Sequence, residues 1–314
     1  MDNFIFSLNA TVPIFIIIFL GYFLRYKKLV DENFVNVGNK IVYIVFLPTL
    51  LFKDISETDV KSNFDIKFIL FCMGATVISI AVIWILSEIF MKDKKAIGSF
   101  VQGSFRGSAA VLGIAFVQNM YGASGMAPMM VLGAVPLYNI FSVIILTVKS
   151  ENSLNSKNLF RDSFINILKN PIIWGIVVGL LFSLLEIKLP IMVNKAVENV
   201  ASLATPFALI VLGAGFEGKK ALSKIKPTLV ATALKLFIIP AVFIPIAVYM
   251  GFRNQEMIAI LIMLGAPSTV SCYVMAKNLG NDHVLASSIV VASTFLSSFS
   301  ITMWIFILKT MGYL

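Results

Sequence analysis

The sequence predicts an all-α integral membrane protein of ten transmembrane helices, arranged as two inverted five-helix repeats in which helices 4 and 9 are broken. Three observations predict this architecture: the composition, ten long apolar runs, and an internal repeat with a polar break in each half. Of the 314 residues, 59% are hydrophobic and only 13% are charged. A soluble domain carries roughly twice that charged fraction, so lipid is the natural solvent for this chain.

Ten runs of the chain are long and apolar enough to cross a bilayer, which takes roughly 20 mostly apolar residues. The first run follows Asp2 and precedes Arg25. Because a secretory signal has the opposite charge order, we expect this run to remain as the first span. The predicted spans are 4–24, 36–53, 66–91, 97–119, 126–148, 168–187, 191–214, 225–251, 256–278 and 284–309.

Lys and Arg concentrate in and beside the connections that follow spans 1, 3, 5, 7 and 9. Positively charged connections face the cytoplasm, so we expect a multi-pass protein of the plasma membrane with both termini outside. The same rule accounts for the net charge of +9 without a nucleic acid partner. The chain has two cysteines, both inside apolar runs, and one histidine, so we expect no disulfide, metal or cofactor.

The two halves of the chain, 1–157 and 158–314, match at an offset of 158 residues. Since each half holds an odd number of spans, the second must insert upside down relative to the first. Inverted repeats of this kind are typical of transporters. The matching pairs are Pro13 with Pro171, Gly21 with Gly179, Pro48 with Pro206, Gly107 with Gly265, and Gly122 with Gly280.

Spans 4 and 9 occupy equivalent places in the two halves, and both have polar, glycine-rich centres. Gly107, Gly113, Gly265 and Pro267 are expected to break these helices, because glycine is flexible and proline lacks an amide hydrogen. Bare backbone groups are tolerated at membrane depth where they line a cavity, and half-helix N-termini attract anions. The alternative is that the glycines serve only close packing between helices.

Two cations, Arg106 and Lys235, fall inside spans 4 and 8. Ionisable residues are costly there and usually serve function. The sequence places no acidic residue in the middle of a predicted span. Buried cations without a buried acid favour an anionic substrate. The alternative is that both side chains reach an interface or bond backbone carbonyls.

Neutral polar residues complete the predicted substrate site. An amide in the middle of span 5, Asn139, needs a hydrogen-bonding partner, whereas Ser and Thr can bond their own helix backbone. The predicted substrate-binding set is Arg106, Ser108, Asn119, Asn139, Lys235, Ser268, Thr269 and Ser271.

The segments that contain these residues resemble the auxin efflux carrier family of bacterial permeases and plant auxin carriers. The likeness is strongest over residues 105–115 and 266–277, and the stretch 46–52 in span 2 adds to it. Two positions depart from the family pattern and bear on the substrate. Ser108 stands where the family usually has Asn, and Ala115 stands where it usually has Pro.

The resemblance implies that the broken helices 4 and 9 are crossed near the substrate. It implies a scaffold of spans 1, 2, 6 and 7, against which a transport domain of spans 3–5 and 8–10 moves like an elevator. It also implies a carboxylate substrate such as malate, malonate or an auxin-like acid. We therefore expect a secondary transporter of a small organic anion, embedded in lipid, and leave open a homodimer through the scaffold helices. One alternative is a sodium- or proton-coupled symporter or exchanger of another small solute. The other is a membrane enzyme or receptor, although no HExxH zinc motif or P-loop occurs.

Overall fold

The computed structural model describes residues 2–57, 65–109, 116–118, 120–121, 125–150 and 159–314. Within these ranges the regular structure is helical, without a strand. Seven helical stretches there are long and apolar enough to cross a membrane, and two shorter apolar helices run over Thr11–Tyr26 and Pro171–Leu184. The predicted class, an all-helical integral membrane protein, is confirmed.

The main helices, in chain order, are α1 Asp2–Tyr26, α2 Glu32–Ser56, α3 Ile66–Phe90, α4 Ile97–Phe105, α5 Ala127–Val148, α6 Leu159–Leu168, α7 Pro171–Leu184, α8 Ile191–Ala214, α9 Gly218–Ser223, α10 Ile225–Tyr249, α11 Asn254–Gly265, α12 Val270–Asn278 and α13 His283–Thr310. Single π-helical turns interrupt α2 at Val42–Phe46 and α10 at Leu234–Ile238. Such turns are rare in proteins overall, and those that occur are often found at functional sites.

Aspartate side chains begin three of the helices. Asp31, Asp65 and Asp282 each accept a hydrogen bond from the backbone amide three residues later, at 2.8, 3.1 and 2.9 Å. A cap of this kind satisfies an amide that has no partner inside the helix. The cap at Asp31 explains why α2 begins at Glu32, before the predicted start of span 2.

The outward faces of the helices carry large apolar side chains. On α3, for example, Ile66, Leu70, Ile78 and Ile85 are each more than half exposed. Extensive exposed apolar surface marks a region that another apolar phase covers. In a protein with several membrane-spanning helices, that phase is lipid.

The helices pack in two groups. The first group is α1, α2, α7 and α8, in which α1 lies along α8 and α2 lies along α7; α3–α5 and α10–α13 pack mainly among themselves and form the second group. Glycine permits the close approach within the first group. A Cβ at Gly21 would overlap the carbonyl oxygen of Ile210, and one at Gly179 would lie 3.0 Å from that of Phe52.

Ion pairs collect several connections on one face of the molecule. The Nζ of Lys224, after α9, lies 2.9 Å from carboxylate oxygens of both Asp93 and Asp282. The first group is tied to the second by Glu32 and Lys277, whose charged atoms are 3.7 Å apart. We call this side the basic face; it also includes His283, whose Nε2 lies 3.8 Å from a carboxylate oxygen of Glu217.

The opposite face gathers the other connections. Lys67, at the start of α3, donates a hydrogen bond of 2.5 Å to the carbonyl oxygen of Met250, just after α10. Nearby, the backbone amide of Asn254 donates to the carbonyl oxygen of Tyr313 at 3.0 Å. The helices α2 and α3 therefore run in opposite directions between the two faces. The breaks of spans 4 and 9 lie at a depth between these faces.

Candidate functional site

Span 4 is interrupted at the position of Gly107. Helix α4 ends at Phe105, and residues 106–108 are not helical. Arg106 adopts an extended backbone, with φ −77° and ψ 117°. The interruption therefore presents the guanidinium-bearing residue at the C-terminal end of a half-helix.

Span 9 is interrupted in the equivalent place. Helix α11 ends at Gly265, residues 266–269 are not helical, and α12 begins at Val270. Pro267 lies inside this stretch, where its missing amide hydrogen costs no helical hydrogen bond. Thr269 is the residue that precedes α12, and its side chain makes no capping hydrogen bond.

The two interruptions are in direct contact. The backbone amide of Ser108 donates to the carbonyl oxygen of Pro267 at 2.9 Å, and the hydroxyl of Ser268 donates to the carbonyl oxygen of Gly103 at 2.6 Å. A further bond of 3.0 Å, from the amide of Ser268 to the hydroxyl of Ser293, joins the second interruption to α13. Backbone groups released by the breaks are thus satisfied by protein, as membrane depth requires.

Lys235 lies beneath this junction rather than beside a solvent-filled space. Its side chain is 1% exposed, and its Nζ donates to the carbonyl oxygens of Phe105, Met263 and Leu264 at 3.0, 3.2 and 2.9 Å. These carbonyls lie at the C-terminal ends of α4 and α11, where a cation is electrostatically favourable. An ammonium has three donors, so all are used. The sequence left two roles open for Lys235, binding of an anion or bonding of backbone carbonyls. The structure shows the second.

Glycine at position 107 leaves room for this ammonium. A Cβ there would lie 2.8 Å from the Nζ of Lys235 and 3.1 Å from the carbonyl oxygen of Ala266. The hydroxyl of Tyr138 donates to the carbonyl oxygen of Met263 at 2.9 Å, and its ring centroid is 5.7 Å from the same Nζ. The junction is therefore closely packed around one cation.

A cavity of about 280 Å³ lies on the other side of the two interruptions. Both helix groups contribute to its wall, so the space lies between them. Its lining residues are Ile14, Leu47, Leu50, Leu51, Asp54, Arg106, Gly107, Ser108, Ala109, Val135, Tyr138, Asn139, Ala204, Thr205, Leu209, Pro267, Ser268, Thr269, Val270, Ser271, Val290 and Thr294.

Arg106, held in place by Asn139, supplies the positive charge of this wall. The guanidinium is 5% exposed and donates to the Oδ1 of Asn139 at 2.6 Å and to the sulfur of Met275 at 2.6 Å. Asn139 in turn donates from Nδ2 to the carbonyl oxygen of Val135 at 2.9 Å. Both partners of the guanidinium are neutral, so its positive charge is oriented without being neutralised.

Hydroxyl groups and a helix N-terminus line the facing wall. Thr269 and Ser271 share a hydrogen bond of 2.5 Å between their hydroxyl oxygens, and both line the cavity together with Ser108 and Ser268. The first amides of α12 start at Val270. A helix N-terminus carries a partial positive charge that favours an anion.

The structure thus brings together most of the predicted site. Arg106, Ser108, Asn139, Ser268, Thr269 and Ser271 all line the cavity, whereas Lys235 lies behind Gly107 at the junction. Of the remaining predicted residues, Asn119 and Gly113 lie outside the described residues, as do Ala115 and Gly122.

Sequence reasoning missed one acid of the cavity, Asp54, which it assigned to the connection after span 2. Span 2 was predicted to end at residue 53, but α2 continues to Ser56, and Asp54 lines the cavity. A signal was present in the sequence. Leu47, Leu50, Leu51 and Asp54 follow the i, i+3, i+4, i+7 spacing that places residues on one helix face.

Sequence reasoning also missed Gln102 and Met275. Gln102 is fully buried on α4 and donates from Nε2 to the sulfur of Met275 at 3.5 Å, the same sulfur that accepts from Arg106. Methionine is ordinarily read as an apolar packing residue. No local pattern marks it as a neighbour of the guanidinium.

Helices broken at membrane depth, joined at their breaks and placed beside a cavity are the construction of secondary transporters. The fold and the site therefore define a membrane transport protein. The comparison with known families agrees. The model of the family described as membrane transport protein matches residues 6–305, and the chain belongs to that family, which confirms the resemblance to the auxin efflux carriers.

Individual relatives are distant but cover nearly the whole chain. The "Uncharacterized transporter" of Methanothermobacter thermautotrophicus is 22% identical over 95% of this chain and 97% of its own length. The "Uncharacterized transporter YfdV" of Escherichia coli K12 is 24% identical over 87% of this chain and 88% of its own. The "Putative malonate transporter" of Rhizobium meliloti is 24% identical over 96% of each chain.

Proposed function

We propose that this protein is a secondary transporter of a small organic anion, which binds in the cavity beside the two broken helices. The position of Arg106 carries the proposal. It is a buried cation that lines the cavity, and its hydrogen bonds go to neutral groups. A buried charge is costly unless an opposite charge compensates it, and a carboxylate substrate would supply that charge. The printed name of the Rhizobium meliloti relative, which refers to malonate, fits this substrate class.

The other cavity groups suit the same ligand. The hydroxyls of Ser108, Thr269 and Ser271 are hydrogen-bond donors, and the N-terminus of α12 adds backbone amides. A cavity of about 280 Å³ lies near the lower end of the roughly 300–1,000 Å³ usual for ligand pockets. The remaining wall is largely aliphatic. We therefore infer a small carboxylate such as malonate or malate rather than a large amphipathic acid.

Uptake of radiolabelled malonate into proteoliposomes tests this function. Loss of a charged hydrogen bond of about 1.5–3 kcal/mol in Arg106→Gln should raise KM by roughly 10-fold to 100-fold. Arg161→Gln, the same change at an exposed position of α6, is the matched control and should leave KM unchanged. Equal KM values for the Arg106→Gln variant and the wild type would refute the role of Arg106. Absence of uptake of any carboxylate by the wild type would refute the function.

We further propose that the first helix group is the scaffold and the second is a transport domain that slides against it. The repeat supports this division. Gly21 contacts the Ile210 carbonyl and Gly179 contacts the Phe52 carbonyl. Both the glycines and the carbonyl residues are 158 residues apart, as two inverted copies, 1–157 and 158–314, would require. The cavity lies between the groups, so a relative movement would carry its anion across the membrane.

Disulfide cross-linking tests the movement. Glu32 lies in the first group and pairs with Lys277 in the second, so a short bis-methanethiosulfonate reagent that bridges a Glu32→Cys/Lys277→Cys variant should stop uptake until a reductant is added. The control uses the same residue: Glu32 also pairs with Arg25, 3.0 Å away in the first group. Cross-linked Arg25→Cys/Glu32→Cys protein should transport normally. Full uptake by the first variant, once mass spectrometry shows that it is cross-linked, would exclude sliding between the groups.

We orient the basic face toward the cytoplasm, with both termini outside the plasma membrane, because positive connections stay inside. Labelling of intact cells with a membrane-impermeant maleimide tests the orientation. Lys188→Cys, exposed after α7, should be labelled, and Lys219→Cys, exposed at the basic face, should not. The reverse pattern would invert the assignment.

A further inference from the structure

The cavity wall contains an acid as well as a base. Asp54 lies near the end of α2 that is remote from the basic face, on the helix face formed by Leu47, Leu50 and Leu51. Its side chain is half-buried. Asp54 and Arg106 are the two charged residues among those that line the cavity, so an anion held by Arg106 shares a small apolar space with a carboxylate.

The two residues belong to different helix groups. Asp54 is on α2, in the first group, whereas Arg106 follows α4, in the second. If the groups slide, the distance between Asp54 and the bound anion changes with the conformation. The effect of Asp54 is therefore confined to the state in which the cavity extends to the end of α2.

The remaining charges around Asp54 largely offset one another. On its own helix, Lys53 and Glu57 form an ion pair with 3.0 Å between their charged atoms. Helix α8, which packs against this part of α2, contributes Glu198, whose charge acts on Lys53. Helix α7, the other close neighbour, has no ionisable side chain between Pro171 and Leu184. The other titratable groups on α2 and α8 are Glu32, Lys40, Tyr43 and Lys195, and Tyr138 lines the cavity.

We propose that Asp54, on the scaffold wall of the anion cavity, controls the affinity for anions by its own charge. When ionised, its carboxylate repels an anion bound at Arg106 and weakens the binding of that anion. This inference rests on the proposed function of the cavity. Coulomb repulsion between like charges is strong in a poorly screened, apolar space. Binding of an anion and protonation of Asp54 therefore favour each other, and anion affinity falls as the pH rises. The proton comes from water on the side that the cavity faces and returns to water when the anion leaves.

This device has a consequence for selectivity. Repulsion by Asp54 grows with the charge of the ligand, so a dicarboxylate that carries two charges is penalised more than a singly charged acid. The sequence leaves coupling to protons open as an alternative. Asp54 supplies a group through which the pH can act on the same site.

Titration calorimetry of malonate into protein in lipid nanodiscs, from pH 8 to pH 4.5, tests the role of Asp54. The quantity to follow is the ratio of the Kd of the wild type to that of Asp54→Asn, because every effect of pH on malonate binding that does not involve Asp54 cancels in it. We expect a ratio of about 10 at pH 8, which corresponds to about 1.4 kcal/mol, and a steady decline toward 1 at low pH. Asp54→Ser should behave in the same way. Glu57→Gln removes an acid one turn away, outside the cavity lining, and should give a ratio near 1 throughout.

The outcomes separate this inference from the proposed function. If Arg106→Gln abolishes malonate binding but both Asp54 variants bind as the wild type does at every pH, the site stands and the role of Asp54 is wrong. A Kd ratio that is large but the same at every pH also contradicts the role of Asp54, since a change in packing would not depend on pH. If the wild type binds no carboxylate at any pH, the proposed function fails and this inference fails with it. Thermal unfolding of each unliganded variant checks that it is folded.

Discussion

The backbone amide of Ser108 donates a hydrogen bond of 2.9 Å to the carbonyl oxygen of Pro267, which joins the break of span 4 to the break of span 9. The ammonium of Lys235 binds carbonyls at the ends of the helices on either side. The polar interior of the protein is therefore built on one junction, with the cation of Lys235 behind it and the cavity of Arg106 in front. Each part can be changed separately.

Gly107→Ala should loosen the junction. The added Cβ would lie 2.8 Å from the Nζ and 2.9 Å from the Cε of Lys235, and close to the carbonyl oxygen of Ala266. Because the ammonium is fixed by three carbonyls, it cannot move without losing bonds. Overpacking of this kind costs about 1–3 kcal/mol, so Tm measured in nanodiscs should fall by several degrees and malonate uptake should fall with it.

The control for that substitution is Gly74→Ala on α3. A Cβ at Gly74 has no neighbour within 4 Å, and alanine is the better helix former. Its Tm should be unchanged or slightly raised. Equal Tm values for the Gly107→Ala and Gly74→Ala variants would contradict the close packing of Gly107 on Lys235.

Lys235→Met should destabilise the protein even without a substrate. Methionine keeps much of the side-chain length but donates nothing, so the buried carbonyl oxygens of Phe105 and Leu264 lose the ammonium, whereas that of Met263 keeps the hydroxyl of Tyr138. Each unsatisfied group costs about 1–3 kcal/mol. Thermal unfolding of the unliganded variant should show a clear fall in Tm, whereas Lys226→Met, an exposed site on the same helix, should show little.

The same variant distinguishes a positioning role from direct contact with the anion. A lysine that binds the substrate would, when replaced, abolish stabilisation by malonate and leave the unliganded Tm unchanged. That pattern would contradict the assignment of Lys235 to the junction.

Whether a feature could be predicted from the sequence depends on whether its interactions are local or join distant parts of the chain. The spans and the two interruptions are local features, because apolar length, glycine and proline act through their own backbone. Arg106 and Asn139 could be singled out because any polar group in an apolar run needs a partner. Their contact with each other could not, since it joins different spans.

Lys235 and Asp54 show where local reasoning ends. A lysine in span 8 is equally compatible with an anion site and with carbonyls of α4 and α11, and only the packing of three helices decides between them. Asp54 was missed because hydropathy fell at residue 53, although the helix continues. A helix end is set by its backbone hydrogen bonds, not by the apolar run.

Lys224→Met should lower the stability of the fold at neutral pH, because it removes two ion pairs from the basic face. Hydrogen bonding to Lys224 lowers the pKa of Asp93; burial lowers the pKa of Lys224, but its pairs with Asp282 and Asp93 outweigh this and raise it. A depressed acid stabilises the fold above its unfolded pKa, and a raised base stabilises it below its own. The pairs therefore contribute fully between about pH 4 and pH 10.4, the ordinary values of the two groups.

Thermal unfolding at pH 5, 7 and 9 measures that contribution. The variant should have a lower Tm than the wild type at all three values, by a similar amount. Lys220→Met removes the same charge from a more exposed pair with Glu217 and should have a smaller effect. A difference that appeared only at pH 9 would contradict the assigned pairs.

Asn139→Asp should weaken anion binding. Its Oδ1 accepts from Arg106 at 2.6 Å, and an aspartate of the same shape would keep that bond while adding a negative charge beside the guanidinium. An anion in the cavity would then meet a neutralised partner, so we expect the Kd for malonate to rise about tenfold or more. The change also removes the Nδ2 donor to the carbonyl oxygen of Val135, which must be controlled for.

Asn278→Asp provides that control, because its Nδ2 also donates to a carbonyl one turn earlier, that of Val274, at 2.8 Å. Asn278 is not among the lining residues of the cavity. Both variants lose a helix-backbone bond, but only the change at Asn139 places a charge beside Arg106. Titration calorimetry should therefore show a raised Kd for Asn139→Asp alone. Equal values for the two variants would mean that the charge of Arg106 does not set the affinity for the anion.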